Sequence, residues 1–94
     1  MRYQKKNQVK ERIFDSKALL YNYQKGVLVE LNESGKVIWT MLMELHEKEA
    51  VIKAYADFYG IDPDVASQDV NEVLAELEKR EIIEREGSGL RCSS

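Results

Sequence analysis

One cysteine, Cys92, and one histidine, His46, are the side chains in this sequence best suited to nucleophilic or general-base chemistry. Such chemistry needs the two within hydrogen-bond reach, with a third group to orient the base. No third group is recognisably arranged with them. Cys92 sits in the Ser-rich end of the chain, where a buried or activated thiol is not expected, and a lone cysteine cannot form an intrachain bridge. His46 falls at the end of a helical stretch and reads as a surface or helix-terminal imidazole. Metal ligation has no support, because there is no Cys-x-x-Cys pair and His46-Glu47 lacks a second imidazole at helical spacing. Gly87-Ser88-Gly89 is too short for a phosphate cradle and is not followed by a helix that would supply backbone donors. The sequence therefore predicts no catalytic residues, no metal and no cofactor, and an enzyme is the least expected class.

Charge is the second chemically informative feature. Between Asp62 and Arg80 there are six acids, Asp62, Asp64, Asp69, Glu72, Glu76 and Glu78, against Lys79 and Arg80. A recognition helix with that balance opposes phosphate, because duplex affinity rests on cation contacts that release counterions. The acids form either a solvated face or the lip of a binding groove, and both readings remove nucleic acid as the leading partner. The net charge of −3 hides a basic start, since residues 1 to 12 carry five basic side chains against Glu11 alone. The remainder is correspondingly more acidic and suits a partner with cationic residues.

The elements that must position these groups follow from periodicity. The 94 residues suffice for one small core, and 44% hydrophobic with 33% charged composition is that of a folded domain. No apolar run approaches the roughly 20 residues of a membrane span, and no apolar segment follows the basic start to make a signal peptide. A reducing cytoplasm is the expected compartment. Asn32-Glu33-Ser34 formally fits a glycosylation acceptor, but it reads better as a helix start.

Residues 1 to 8 lack apolar periodicity and are read as a flexible basic arm, 9 to 86 as the domain, and 87 to 94 as a flexible tail. Val9 to Phe14 forms a first strand, and Ala18–Tyr21 and Val27–Leu31 a hairpin with Gly26 at positive φ. Asn32 caps a helix over residues 33 to 46, with Val37, Ile38, Met41, Leu42 and Leu45 at helical spacing and Trp39 and Met43 widening the stripe. Gly35 costs that helix about 1 kcal/mol against alanine, which suggests close approach to a neighbouring backbone. A second helix over residues 49 to 59 buries Val51, Ala54, Tyr55 and Phe58 and stops at Gly60. Asp62 and Pro63 start a third helix, carried to about Arg80 by Ala66, Val70, Val73, Leu74 and Leu77. Ile82 to Arg85 is a short return strand. The fold class is α+β: a winged helix-turn-helix with a small N-terminal three-stranded antiparallel sheet and three helices.

Leu31-Asn32-Glu33-Ser34-Gly35-Lys36-Val37-Ile38-Trp39, after a hairpin and before two helices, resembles the strand-to-helix junction of PqqD-like proteins, the RiPP precursor recognition elements. Tyr55-Ala56-Asp57-Phe58-Tyr59-Gly60-Ile61-Asp62-Pro63, then Asp69-Val70, Leu74-Ala75-Glu76-Leu77 and Ile82-Ile83, is similar to the family's second and third helices. Together these cover residues 9 to 85. The resemblance implies that the leader segment of a precursor peptide adds as an antiparallel strand to the edge of the third strand, Val27, Leu28, Val29, Glu30 and Leu31, beside the third helix. On that helix Val65, Asp69, Glu72 and Glu76 lie along one flank, with Val73 on its border. Alternation assigns Val29 and Leu31 to the core and leaves Leu28 either a ligand contact or simply exposed.

A free-standing domain of this size resembles the leader-binding proteins of lasso-peptide pathways, which serve a leader peptidase and a cyclase. It also resembles PqqD itself, which serves a radical-SAM enzyme. The expected state is a monomer or weak homodimer, because an open strand also suits a second copy. Readings from other classes are a small winged-helix DNA-binding regulator using its basic arm, and a subunit-interaction module in which Trp39, Tyr55 and Phe58 are core only.

Overall fold

The structure, a computed structural model, describes residues 2–85. Cys92 and the expected tail from Gly87 lie outside the described residues. The chain runs β1 (Tyr3–Lys5), β2 (Val9–Ile13), β3 (Ala18–Asn22), β4 (Val27–Leu31), α1 (Glu33–Leu45), α2 (Lys48–Tyr59), α3 (Pro63–Lys79) and β5 (Ile83–Arg85). This is the α+β winged helix expected, with the antiparallel sheet β2-β3-β4 and a second, two-stranded sheet β1-β5. The strand expected to be third, Val27–Leu31, is β4 because one strand precedes those read from the sequence.

The turns and caps have local causes. Gly26 and Gly60 take φ of +70° and +63°, left-handed values that glycine reaches without a Cβ penalty. Asn32 accepts from the Gly35 N–H at 2.9 Å and Asp62 from the Asp64 N–H at 2.9 Å, so α1 and α3 start where their cap residues stand. Pro63 opens α3, where the missing donor costs nothing.

Packing places Trp39 at the centre rather than at a margin. It is fully buried with Ile38 and Leu42 of α1, Leu20 of β3, Val51 of α2, and Val70, Leu74 and Leu77 of α3. Its indole N–H donates to the Glu11 carboxylate at 2.8 Å, which satisfies the donor and fixes β2 over the helix. Val73 is partly buried, as a residue on the border of the stripe should be. Two residues expected inside α2 differ. Ala54 is half-buried and Phe58 is 64% exposed, because the packed face of α2 turns through Val51, Tyr55 and Ala56. Phe58 instead stacks edge-on with Tyr59, ring centres 5.0 Å apart. Leu45, expected in the α1 stripe, is exposed at the helix end.

The flexible arm is also corrected, for Tyr3 to Lys5. They form β1 and pair with β5 in the register Tyr3↔Arg85, Gln4↔Glu84 and Lys5↔Ile83. His46 explains why. It ends α1 in the left-handed region at φ 64°, and its carbonyl accepts from the Tyr3 N–H at 2.8 Å. Its Nδ1 lies 3.0 Å from the Tyr3 carbonyl oxygen, and since a carbonyl only accepts, Nδ1 is the protonated donor. Tyr3 becomes 97% buried by this clasp, being 3% exposed. The histidine thus serves as a structural tie at a helix terminus.

Candidate functional site

The hairpin geometry fixes which backbone groups β4 offers to solvent. The Tyr23 N–H donates to the Gln8 carbonyl at 3.1 Å, and the Phe14 N–H to the Lys17 carbonyl at 2.8 Å. Lys10↔Tyr21 and Arg12↔Leu19 fall between them in the same register. Hydrogen-bonded and non-hydrogen-bonded pairs alternate along an antiparallel ladder. Leu19 and Tyr21 therefore direct their N–H and C=O to β2, and Ala18, Leu20 and Asn22 direct theirs to β4. Their partners there are Leu31, Val29 and Val27. Leu28 and Glu30 are left to turn both N–H and C=O outward, and β4 is the last strand of its sheet.

Side chains alternate the other way. Val29 and Leu31 are buried against the helices, while Leu28 is 58% exposed on the outer face. Beside the edge, on the inner side, lies a cleft of about 240 Å³ bounded by Glu30, Leu31, Asn32 and Gly35 on one wall and by Glu72, Val73 and Glu76 of α3 on the other. The structure thus brings together Glu30, Leu31, Glu72, Val73 and Glu76 of the expected site. Val27, Val29 and the Leu28 side chain belong to the same strand but do not line the cleft, and Leu28 faces a separate hollow on the outer face with Tyr21 and Leu19. Val65 is 49% exposed further towards the start of α3, and Asp69 turns to Tyr55.

The acids of α3 divide by partner. Glu76 pairs with Arg80 at 2.8 Å and Glu78 with Arg85 at 2.9 Å. Glu30, which borders the cleft from β4, pairs with Lys17 at 3.5 Å. These pairs are partly exposed, so each contributes little to stability and leaves its carboxylate free to exchange partners. A cleft with apolar floor and carboxylate rim suits a peptide side chain that is apolar in its stem and uncharged or cationic at its end.

Tyr55 links the helices behind this wall. Its hydroxyl donates to the Asp69 carboxylate at 3.3 Å, and burial, then the Asp69 charge, raise the phenol above its ordinary 10.0. Burial, then the Glu78 charge, raise Tyr3 likewise. A folded-state pKa above the unfolded one gives stability that is whole below the unfolded pKa and is lost as pH rises through the folded value. Thermal melts from about pH 9 to about pH 11 should therefore fall in midpoint, and Tyr55→Phe should flatten that fall. A midpoint equally steep in the variant would remove Tyr55 as a cause.

Asn32 and Gly35 were not expected in the site. The signal was present in part, since a helix cap directly after an edge strand puts the first turn at the end of the cleft. Gly35 is explained by side chains rather than by a neighbouring backbone: a Cβ there would stand 3.1 Å from the Leu31 Cβ and 3.3 Å from the Asn32 Oδ1. Leu31 is held by β4 and Asn32 by its capping bonds, so neither gives way easily. Gly35→Ala should gain about 1 kcal/mol of helix propensity and lose more to crowding. The expected net is a midpoint lower by about 5 °C, and a higher midpoint would show that the cap yields.

The family described as "Coenzyme PQQ synthesis protein D (PqqD)" matches residues 17–83. The chain is similar to the solved structure "TbiB1 in Complex with the TbiA(beta) Leader Peptide", with TM-score 0.80 and 25% identity over 86% of this chain and 94% of that one. It is also similar in fold to "Lasso peptide synthetase B1 complexed with the leader peptide", with TM-score 0.78 and 15% identity over 89% of this chain and 99% of that one. A search of curated proteins finds no match.

Proposed function

This chain belongs to the PqqD family, and from that premise we propose that it binds the leader segment of a ribosomally made precursor peptide by strand addition to β4 and presents it to modifying enzymes. The observation that carries this reading is the open β4 edge, where the N–H and C=O of Leu28 and Glu30 face outward beside a cleft walled by α3. Main-chain pairing supplies affinity there without regard to sequence, and the cleft chooses side chains. A leader continuing towards the start of α3 passes Asp69 and Val65.

The solved relatives are described as leader-peptide complexes, one of them of a lasso peptide synthetase. They support leader binding, and the partners proposed with it are the leader peptidase and cyclase of a lasso pathway rather than a radical-SAM enzyme. In this reading the protein acts in the cytoplasm as a non-catalytic adaptor, a monomer or weak homodimer. Among the described residues no helix is long and apolar enough to cross a membrane. A DNA-binding reading has no comparable support, because the exposed face of α3 carries carboxylates where phosphate contacts would need cations.

The reading is tested by titrating isotopically labelled protein with the cognate leader and following backbone amides. Shifts should concentrate at Leu28, Glu30 and Glu72 to Glu76 and spare Arg2 to Lys6. For a leader bearing lysine or arginine, Glu72→Lys should weaken binding, and less so as salt rises. A leader that moves the N-terminal amides and leaves Leu28 and Glu30 unmoved would refute strand addition.

A further inference from the structure

Among the described residues no helix covers the outer face of the three-stranded sheet, and its side chains form rows across the strands. Register places Lys10, Tyr21 and Leu28 in one row and Arg12, Leu19 and Glu30 in the next. Tyr21 is 42% and Leu28 58% exposed, so the apolar pair nearest the open edge is left uncovered. Together with Leu19, and with Lys10, Glu11 and Arg12 of β2, they border a hollow of about 320 Å³.

A strand added antiparallel to β4 continues these rows. Its residues opposite Glu30 and Leu28 accept the outward backbone bonds, and the pleat sends their side chains to the outer face. The residue between them, opposite Val29, points to the cleft. The edge strand therefore fixes two surfaces at once.

We propose that this protein reads its bound strand on both faces, selecting an outward apolar or aromatic residue opposite Leu28 and, two positions earlier, a basic rather than an acidic residue opposite Glu30. The inference rests on the strand-addition reading and adds a specificity that the cleft does not supply. Directly opposed side chains lie about 5 Å apart, close enough for an apolar ligand residue to cover Leu28 and take its place at the end of the Tyr21–Leu28 row. Glu30 opposes an acid at that distance and attracts a base. Lys10 and Arg12 lie two strands and roughly 10 Å further in, at the far end of the same hollow, and do not stand directly opposite the added strand.

The probe is a phage-displayed library of random dodecapeptides, selected against the whole protein. Enriched peptides should share a basic–any–apolar triplet, and should shift the Leu28 and Glu30 amides of labelled protein. Leu28→Asp should lower their affinity about fivefold, while Leu28→Thr, which keeps a strand-forming side chain, should lower it less and show that the fold is kept. Reselection on Leu28→Lys should exchange the apolar residue for an acidic one. Peptides that shift those amides yet show no outward preference, or lose under about twofold affinity with Leu28→Asp, overturn two-faced reading while leaving strand addition standing. A selection that yields no peptide moving those amides overturns both.

Discussion

Asn22→Ala should lower the unfolding free energy by about 3 kcal/mol, a large part of the stability of a domain this small. Asn22 is fully buried, and its side chain holds three separate partners. Its Nδ2 donates to the Glu81 carbonyl at 2.8 Å, and its Oδ1 accepts from the Gln24 and Lys25 N–H groups at 3.1 and 3.0 Å. Its backbone carbonyl accepts from Gly26 at 2.8 Å. One side chain thus closes the β3–β4 turn and ties it to the segment joining α3 to β5, where Glu81 sits at a left-handed φ of 61°. Alanine leaves the Glu81 carbonyl without its donor and the turn amides to water.

In a denaturant series the midpoint should fall with the slope unchanged. Asn22→Asp separates the two halves of the tie. A carboxylate still accepts from the turn amides but repels the Glu81 carbonyl, so part of the loss should return as pH falls and the carboxyl gains a proton to donate. A loss below about 1 kcal/mol for Asn22→Ala would show that the turn and the α3–β5 segment hold their places without it.

How much of this was legible depends on how far apart the cooperating residues lie. Asp62-Pro63 announces α3, Gly60 ends α2, and the alternation of Val27 to Leu31 separates core from surface, because each is a local rule acting within a few residues. β1 has no such signal. Its three residues owe their extended form to β5, some 80 positions away, and to the carbonyl of His46. Asn22 looks like a turn residue, and nothing nearby predicts a partner at Glu81. Phe58 shares helical spacing with Val51 and Tyr55, yet the neighbours of α2 favour Ala56, a choice made by tertiary packing. In the site, the α3 flank and the edge strand were both readable. Which amides of β4 face outward was not, since that parity is set by the pairing of β2 with β3 and passes to β4 only through the register. Alternation already turned Leu28 away from the core, but that it stands beside Tyr21 follows only from the β3–β4 register.

That parity makes one substitution unusually informative. Leu28→Pro should reduce leader affinity by tenfold or more, roughly the loss of one main-chain bond and the stranding of the ligand carbonyl that it served. The fold should tolerate it. The Leu28 N–H points away from β3, so no internal ladder bond is removed, and proline is accepted on edge strands whose missing donor faces solvent. Val27 before it is already extended, as the residue preceding a proline must be. Val29→Pro is the matched control: its N–H faces Leu20 within the hairpin, so the same replacement one position along should cost several kcal/mol and unfold much of the population. Calorimetric titration with the leader, beside a thermal melt of each variant, distinguishes the cases. Folded Leu28→Pro protein that binds the leader as tightly as the parent would mean that the peptide does not pair with β4, and the cleft beside α3 would then have to recognise it by side chains alone.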